Sequence, residues 1–134
     1  MHEQDYLAQL RQLHEQNWPA GHAREPEYPL GQRPLTAYLR HWAETTPERI
    51  AIAFYGHHTS FAELDEQADR FAALLLAKGV KPGDRVAVYM PNCPQFHIAF
   101  FGILRAGAIH CPVSPMAVGL ELEYQLKDCG ASVM

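Results

Sequence analysis

Between Val86 and Leu120 the chain carries one formally charged residue, Arg105. A stretch that apolar must either cross a membrane or lie inside a folded protein. Its first part, Val86 to Leu104, is long enough to span a bilayer, but Pro91-Asn92-Cys93-Pro94-Gln95 sits in its middle. Two prolines and two side-chain amides break a spanning helix and leave backbone polar groups without partners in lipid. No integral membrane segment is therefore expected, and the stretch reads as buried elements joined by a loop. Val86-Ala87-Val88-Tyr89-Met90 lacks alternation, as a parallel strand covered on both faces does. Asn92 is placed to cap the next helix, with Pro94 in its first turn. Phe96, Phe100, Ile103 and Leu104 lie on one side of that helix. Ile98 and Phe101 add a second apolar side, so burial nearly all round is expected as far as Arg105-Ala106. Gly107 ends the helix, and Ala108 to Val113 reads as a second central strand.

The flanks extend the same alternation. Leu35, Tyr38, Leu39 and Trp42 recur at helical spacing, and Thr45-Thr46-Pro47 stops them. Ile50 to Tyr55 reads as a strand, Gly56-His57-His58 as a turn, and Thr59-Ser60-Phe61 as the return of a small hairpin. Ser60 and Glu63 form a capping box, followed by Phe61, Leu64, Ala68, Phe71 and Leu75 on one face. Gly79 is where a left-handed residue ends that helix. Lys81-Pro82-Gly83-Asp84 is a turn. Another helix is predicted from Gly119 or Leu120 to Asp128, with Leu122 and Leu126 inward. Gly130 stops it, and Ser132-Val133-Met134 begins a strand. Helix and strand in this order predict an α/β fold, the N-terminal part of a doubly wound, mostly parallel sheet with a small β-hairpin. Residues 1–34 differ. Tyr6, Leu10 and Leu13 have helical spacing. Pro19, Pro26, Pro29 and Pro34 then break the chain into an irregular extension. The expected division is 1–34 and 35–134.

Charge and cysteine usage narrow the function. With 11 Lys and Arg against 15 Asp and Glu, the formal net charge is −4, so no nucleic-acid partner is expected. Cys93, Cys111 and Cys129 are too few and too scattered for a disulfide framework, and none forms a C-x-x-C zinc pair. Reduced thiols and a polar, acidic start without an apolar leader point to a cytoplasmic protein. The helix from Tyr6 to Leu13 has Glu and Gln on its polar side, unlike the Lys-rich side of a membrane-surface helix.

The predicted sheet is too small to sheathe its own apolar residues. Each large side chain left wet forgoes roughly 1.5–3 kcal/mol of burial. The expectation is an incomplete scaffold, completed by the remainder of its own polypeptide or by self-association through the exposed apolar faces.

Particular runs carry a resemblance. They are Ser60-Phe61-Ala62-Glu63-Leu64 and Leu76-Ala77-Lys78-Gly79-Val80-Lys81-Pro82-Gly83-Asp84-Arg85-Val86-Ala87. Met90-Pro91-Asn92-Cys93-Pro94-Gln95-Phe96, Phe100-Phe101-Gly102-Ile103-Leu104-Arg105-Ala106-Gly107-Ala108 and Pro112-Val113-Ser114-Pro115 follow, then Glu121 to Ala131. In this order they resemble the start of the adenylate-forming (AMP-binding) superfamily, over about residues 35–134. The chain is most similar there to fatty-acyl-CoA and aryl-CoA ligases, and the extension with Trp18-Pro19 is similar to that of long-chain fatty acid–CoA ligases. Pro115-Met116-Ala117-Val118-Gly119 departs from the Asn-Pro and Thr-Pro-Arg-Glu pattern usual in that subfamily.

The resemblance implies a parent enzyme that joins a small-molecule carboxylic acid to ATP, giving an acyl-adenylate and pyrophosphate. Coenzyme A then takes the acyl group and AMP leaves. ATP, Mg2+ and coenzyme A are the implied cofactors, none of them expected on this segment. The family's Ser/Thr-Gly-Thr-Thr-Gly-x-Pro-Lys-Gly loop, its magnesium glutamate, its ribose aspartate and its C-terminal lysine have no counterpart in the sequence. No catalytic, cofactor-binding or metal-ligating residue is therefore assigned, and the segment alone is expected to be inactive. A non-enzymatic dimerisation or interaction module derived from such an enzyme is the alternative.

Several residues have a functional look and a plainer reading. His57-His58 reads as a solvated turn rather than a metal pair. His97 and His110 read as satisfied structural histidines. Cys93 lies at a helix N-terminus with no base fixed beside it. Cys111 and Cys129 read as small core residues. Lys81 to Asp84 lacks the glycine spacing of a phosphate loop and leads into a strand. Phe96, Phe100 and Phe101 read as core rather than as the lining of an acyl channel.

Overall fold

A computed structural model describes residues 3–134; Met1 and His2, the first of the polar N-terminal residues, lie outside them. The described residues fall into two units, one ending at Gln32 and the other running from Arg33 to Met134. In the first, α1 spans Glu3–Asn17, longer than the three spaced apolar residues indicated. Acidic residues in its first turn and His14 in its last suit the helix dipole. The chain then turns back on α1. Trp18 meets His14 edge-on at 4.9 Å, its indole N–H donates to the His22 carbonyl (3.0 Å), and Arg24 pairs with Glu15.

The second unit begins with α2 (Leu35–Thr45), followed by β1 (Ile50–Phe54) and β2 (His57–Ser60). The strands pair antiparallel from Phe54↔His57 to Ile50↔Ser60, with a bulge between Ile50 and Ile52. The turn falls one residue earlier than the sequence indicates. Tyr55 (φ 45°) and Gly56 (φ 81°) form it, and His57-His58 belong to β2. A two-residue hairpin turn of type I′ needs positive φ at both positions, and Gly56 provides only one. Tyr55 takes the other, at the tip and 91% exposed.

From β2 the chain enters α3 (Phe61–Ala77) through the predicted capping box. The Ser60 hydroxyl accepts from Glu63 N–H (3.2 Å), and Ser60 N–H donates to the Glu63 carboxylate (2.8 Å). At the other end Gly79 N–H donates to Leu76 O and Val80 N–H to Leu75 O, a Schellman closure that buries Val80 beside Leu75. Then come β3 (Arg85–Tyr89), α4 (Pro94–Arg105), β4 (Ile109–Val113) and α5 (Leu120–Cys129). β3 and β4 are parallel, in register from Arg85↔Ile109 to Tyr89↔Val113. Beyond α5, Val133 bridges Val86 in parallel on the other side of β3, which is as much of the last predicted strand as forms.

Three expectations about α4 and β4 need correction. Cys93, not Asn92, is the N-cap of α4, and it makes no side-chain cap bond. Pro94 at N1 lacks the N–H that a cap one residue earlier serves. Only Ala99, Gly102 and Ile103 of α4 are buried, while Phe96, Ile98, Phe100 and Phe101 are half-buried. The side facing α3 is buried, the rest of the helix is partly covered, and only Gln95 and His97 are exposed. β4 likewise has one well-covered residue, Val113, and an exposed Ile109, whereas β3 is buried from Val86 to Val88.

The core lies in two clusters. One packs Leu75, Val86, Val88, Ala99, Ile103 and Ala108 between α3, α4 and the parallel pair. The other packs Leu39, Leu64 and Ala68 with Ile52, Ile98 and Phe101, tying α2 and the hairpin to the far side of α3 and α4.

Candidate functional site

In an open parallel sheet, ligands sit beyond the carboxyl ends of the strands. Here those ends are Tyr89 and Val113, and the loop after β4 closes over them. The Tyr89 hydroxyl donates to Ala117 O (2.8 Å), and Ala117 is wholly buried. The Ser114 hydroxyl accepts from Met116 N–H (3.3 Å), and Ser114 N–H donates to the Gln125 side chain (3.4 Å). The groups that a ligand would use are thus engaged in shaping the loop. Met116, Val118 and Leu120 stand out from it, 82%, 72% and 83% exposed, and form an apolar rim.

The strongest electrostatic feature lies elsewhere and was not anticipated from the sequence. Arg105 donates to Asp65 O (2.7 Å), to Asp69 Oδ1 (2.8 Å) and to the Asp65 carboxylate. Arg40 donates to Asp65 Oδ2 (2.6 Å) and Asp69 Oδ2 (2.7 Å). Two guanidinium groups and two carboxylates from α2, α3 and α4 therefore neutralise each other, with the Asp65 and Arg105 side chains only 9% exposed. Burial pulls the Asp69 carboxyl up, but hydrogen bonds and charge from Arg40 and Arg105 outweigh it and hold the carboxyl below its ordinary range. The signal available in the sequence was Arg105 itself, a lone charge in an apolar helix that needed buried acidic partners.

The histidines do not converge. His57 and His58 are neighbours on a strand, so their side chains point to opposite sides. His97 is exposed rather than structural, at the edge of a cavity of about 490 Å³ lined by Leu35, Tyr38, Trp42, Ile52 and Phe101. His110 departs from expectation in another way. Its ring meets Phe96 (5.4 Å) and Phe100 (5.1 Å) edge-on, and its Nε2 is buried without a hydrogen-bond partner. Desolvation holds its pKa below the ordinary 6.5. Phe96 and Phe101 pack on the two core clusters, in line with the plainer reading of both.

Among the described residues no group of three or more His, Cys, Asp or Glu side chains is placed to hold a metal ion, and no helix is long and apolar enough to cross a membrane. Lys81–Asp84 is closed on itself by Lys81 N–H to the Asp84 carboxylate (2.8 Å) and leads into β3. Cys93 caps α4 only through its backbone, its carbonyl accepting from Phe96 N–H (3.0 Å). Cys111 and Cys129 are half-buried rather than core residues. A second apolar hollow of about 340 Å³ opens between α3 and β3, lined by Phe71, Leu74, Val88, Met90, Val133 and Met134.

Comparison with known proteins places this framework. Residues 39–134 match the family model described as AMP-binding enzyme. The chain is 42% identical over 108 residues to a long-chain-fatty-acid–CoA ligase of Bacillus subtilis (strain 168), covering 81% of this chain and 19% of that protein. It overlays the N-terminal subdomain of NpsA from Klebsiella oxytoca with a TM-score of 0.72 at 24% identity, covering 75% of this chain and 26% of that one. With the Mycobacterium tuberculosis fatty acyl CoA synthetase the TM-score is 0.68 at 30% identity, over 72% and 20% of the two chains. The chain thus spans about a fifth of the length of the ligases it matches. Strand, helix and turn occur in the order that the resembling runs required, and over that stretch the chain belongs to the AMP-binding enzyme family.

Proposed function

We propose that residues 35–134 are the N-terminal framework of an ATP-dependent acyl-CoA ligase. The whole enzyme would convert a carboxylate and ATP to acyl-AMP and pyrophosphate, then acyl-AMP and coenzyme A to acyl-CoA and AMP. The observation that carries this reading is the 42% identity to a long-chain-fatty-acid–CoA ligase over most of the chain but a fifth of the relative. A cytoplasmic location belongs to the same reading, supported by three free thiols.

Two observations support a segment that holds no ATP, Mg2+ or coenzyme A of its own. The paired carboxylates of Asp65 and Asp69 are neutralised by Arg40 and Arg105. The N-terminus of α4 has Pro94 where an N–H would face a phosphate. No step of the reaction is therefore assigned to these side chains. The segment's contribution is to hold β3 and β4 in register and present the loop at Ser114–Gly119. Carboxylate-stimulated ATP–pyrophosphate exchange on the purified 134-residue chain tests this, with no exchange above background expected. Exchange that rises with added fatty acid would overturn it.

A second reading, a non-enzymatic dimerisation module, is favoured by the two open apolar hollows beside α2 and β3. Light scattering that levels off at the mass of a dimer, rather than rising without limit, together with absent exchange supports it.

A further inference from the structure

The larger hollow, about 490 Å³, is walled by α2, β1, α3 and α4. Buried Leu39 and Leu64 form its floor, and the rings of Tyr38, Trp42, Phe61 and Phe101 line it, each only half-buried. Cavities of roughly 300–1,000 Å³ are the size that small organic ligands occupy. None of the side chains lining this one is an Asp, Glu, Lys or Arg. A cation would find no counter-charge there, and an anion would meet no repulsion. His97 is exposed at the edge. Its ring meets Phe96 edge-on at 5.9 Å, and among the described residues its imidazole has no hydrogen-bond partner. An added strand suits the hollow poorly. β1 pairs only with β2, but it carries a bulge between Ile50 and Ile52, and a bulge bends an edge away from further pairing.

We propose that this hollow binds an aromatic carboxylate, its ring among the four aromatic side chains and its carboxylate at the mouth, accepting a hydrogen bond from His97. Aromatic rings favour offset or edge-on contact with one another beyond the area they bury, and four rings around one space offer that contact to a fifth. A carboxylate held at the mouth keeps part of its hydration, so the cost of taking a charge into an apolar interior is avoided. An N–H donating to an ionised acceptor makes a stronger bond than one donating to a neutral acceptor, which selects the acid over an uncharged ring. Every residue invoked lies in this chain, so the site stands apart from the acyl-CoA ligase reading and needs neither ATP nor further polypeptide.

The test is titration of the whole chain with 2-naphthoate. Trp42 is one of two tryptophans, so a Trp18→Phe chain leaves it as the sole indole. Naphthoate is expected to quench Trp42 emission saturably, with one molecule bound per chain by calorimetry. His97→Leu, a change at an exposed position, is expected to weaken naphthoate about tenfold or more. Naphthalene, which lacks the acceptor, is expected to bind more weakly and to be indifferent to that change. Leu74→Gln, in the hollow between α3 and β3, leaves the affinity for naphthoate unchanged. Absence of saturable quenching, equal affinity for naphthalene, or an affinity unmoved by His97→Leu would each overturn the proposal. So would displacement of naphthoate by tetramethylammonium, the mark of a cation site, or an affinity that falls as the chain is concentrated, the mark of a second copy seated in the hollow.

Discussion

Arg105 is the residue on which the helical layer turns. It is the one charge between Val86 and Leu120, and it is satisfied only because Asp65 and Asp69, one turn apart on α3, meet it with Arg40 completing the set. Removing one partner of a buried pair leaves the other uncompensated. Arg105→Ala is therefore expected to destabilise the chain by about 3–5 kcal/mol, read from urea unfolding. A loss under about 1 kcal/mol would place the network with ordinary surface pairs. His110 sets a different limit. Its folded pKa lies below the unfolded 6.5, so the unfolded chain binds the proton more readily. Stability is then full above pH 6.5 and declines as the pH falls through it toward the folded value. His110→Leu removes the buried unpartnered nitrogen and is expected to flatten stability between pH 7 and 5. An unchanged slope would show that another group carries it.

At the scale of elements, local sequence chemistry and close packing share the work. The Ser60–Glu63 box and the Gly79 closure were readable because both depend on residues within one turn of each other. The α3–α4 contact depends on residues far apart. Gly102 faces α3, where an added Cβ would lie 2.8 Å from Phe71 Cδ1 and 3.0 Å from Ala68 O. Backbone cannot give way there, so Gly102→Ala is expected to lose about 1–3 kcal/mol in thermal or urea unfolding, despite Ala's better helix propensity. A gain in stability would mean that the two helices separate freely. The hairpin shows the reverse limit. The sequence put the turn at Gly56-His57-His58, because a glycine flanked by polar residues marks a turn without fixing its register. Pairing of Phe54 with His57 moved it to Tyr55-Gly56.

For the molecule as a whole, the balance of covered and open apolar surface decides behaviour. β3 is buried from Val86 to Val88, but the hollow beside α2 and the hollow between α3 and β3 are open. Patches of this kind bind apolar dyes and drive association. The isolated chain is expected to enhance the fluorescence of an apolar dye and to scatter more light per molecule as its concentration rises. A monodisperse monomer with no dye response would show that residues 35–134 sheathe themselves.

The sequence alone determined the alternation of helix and strand, the parallel pair and the family. These rest on periodicity, on caps a few residues long and on runs in fixed order, all local along the chain. Tertiary structure alone decided which acids meet Arg105, and that His110 Nε2 is buried without a partner. Those outcomes depend on which faces of distant elements are pressed together, and packing direction is not written in the spacing of any single segment.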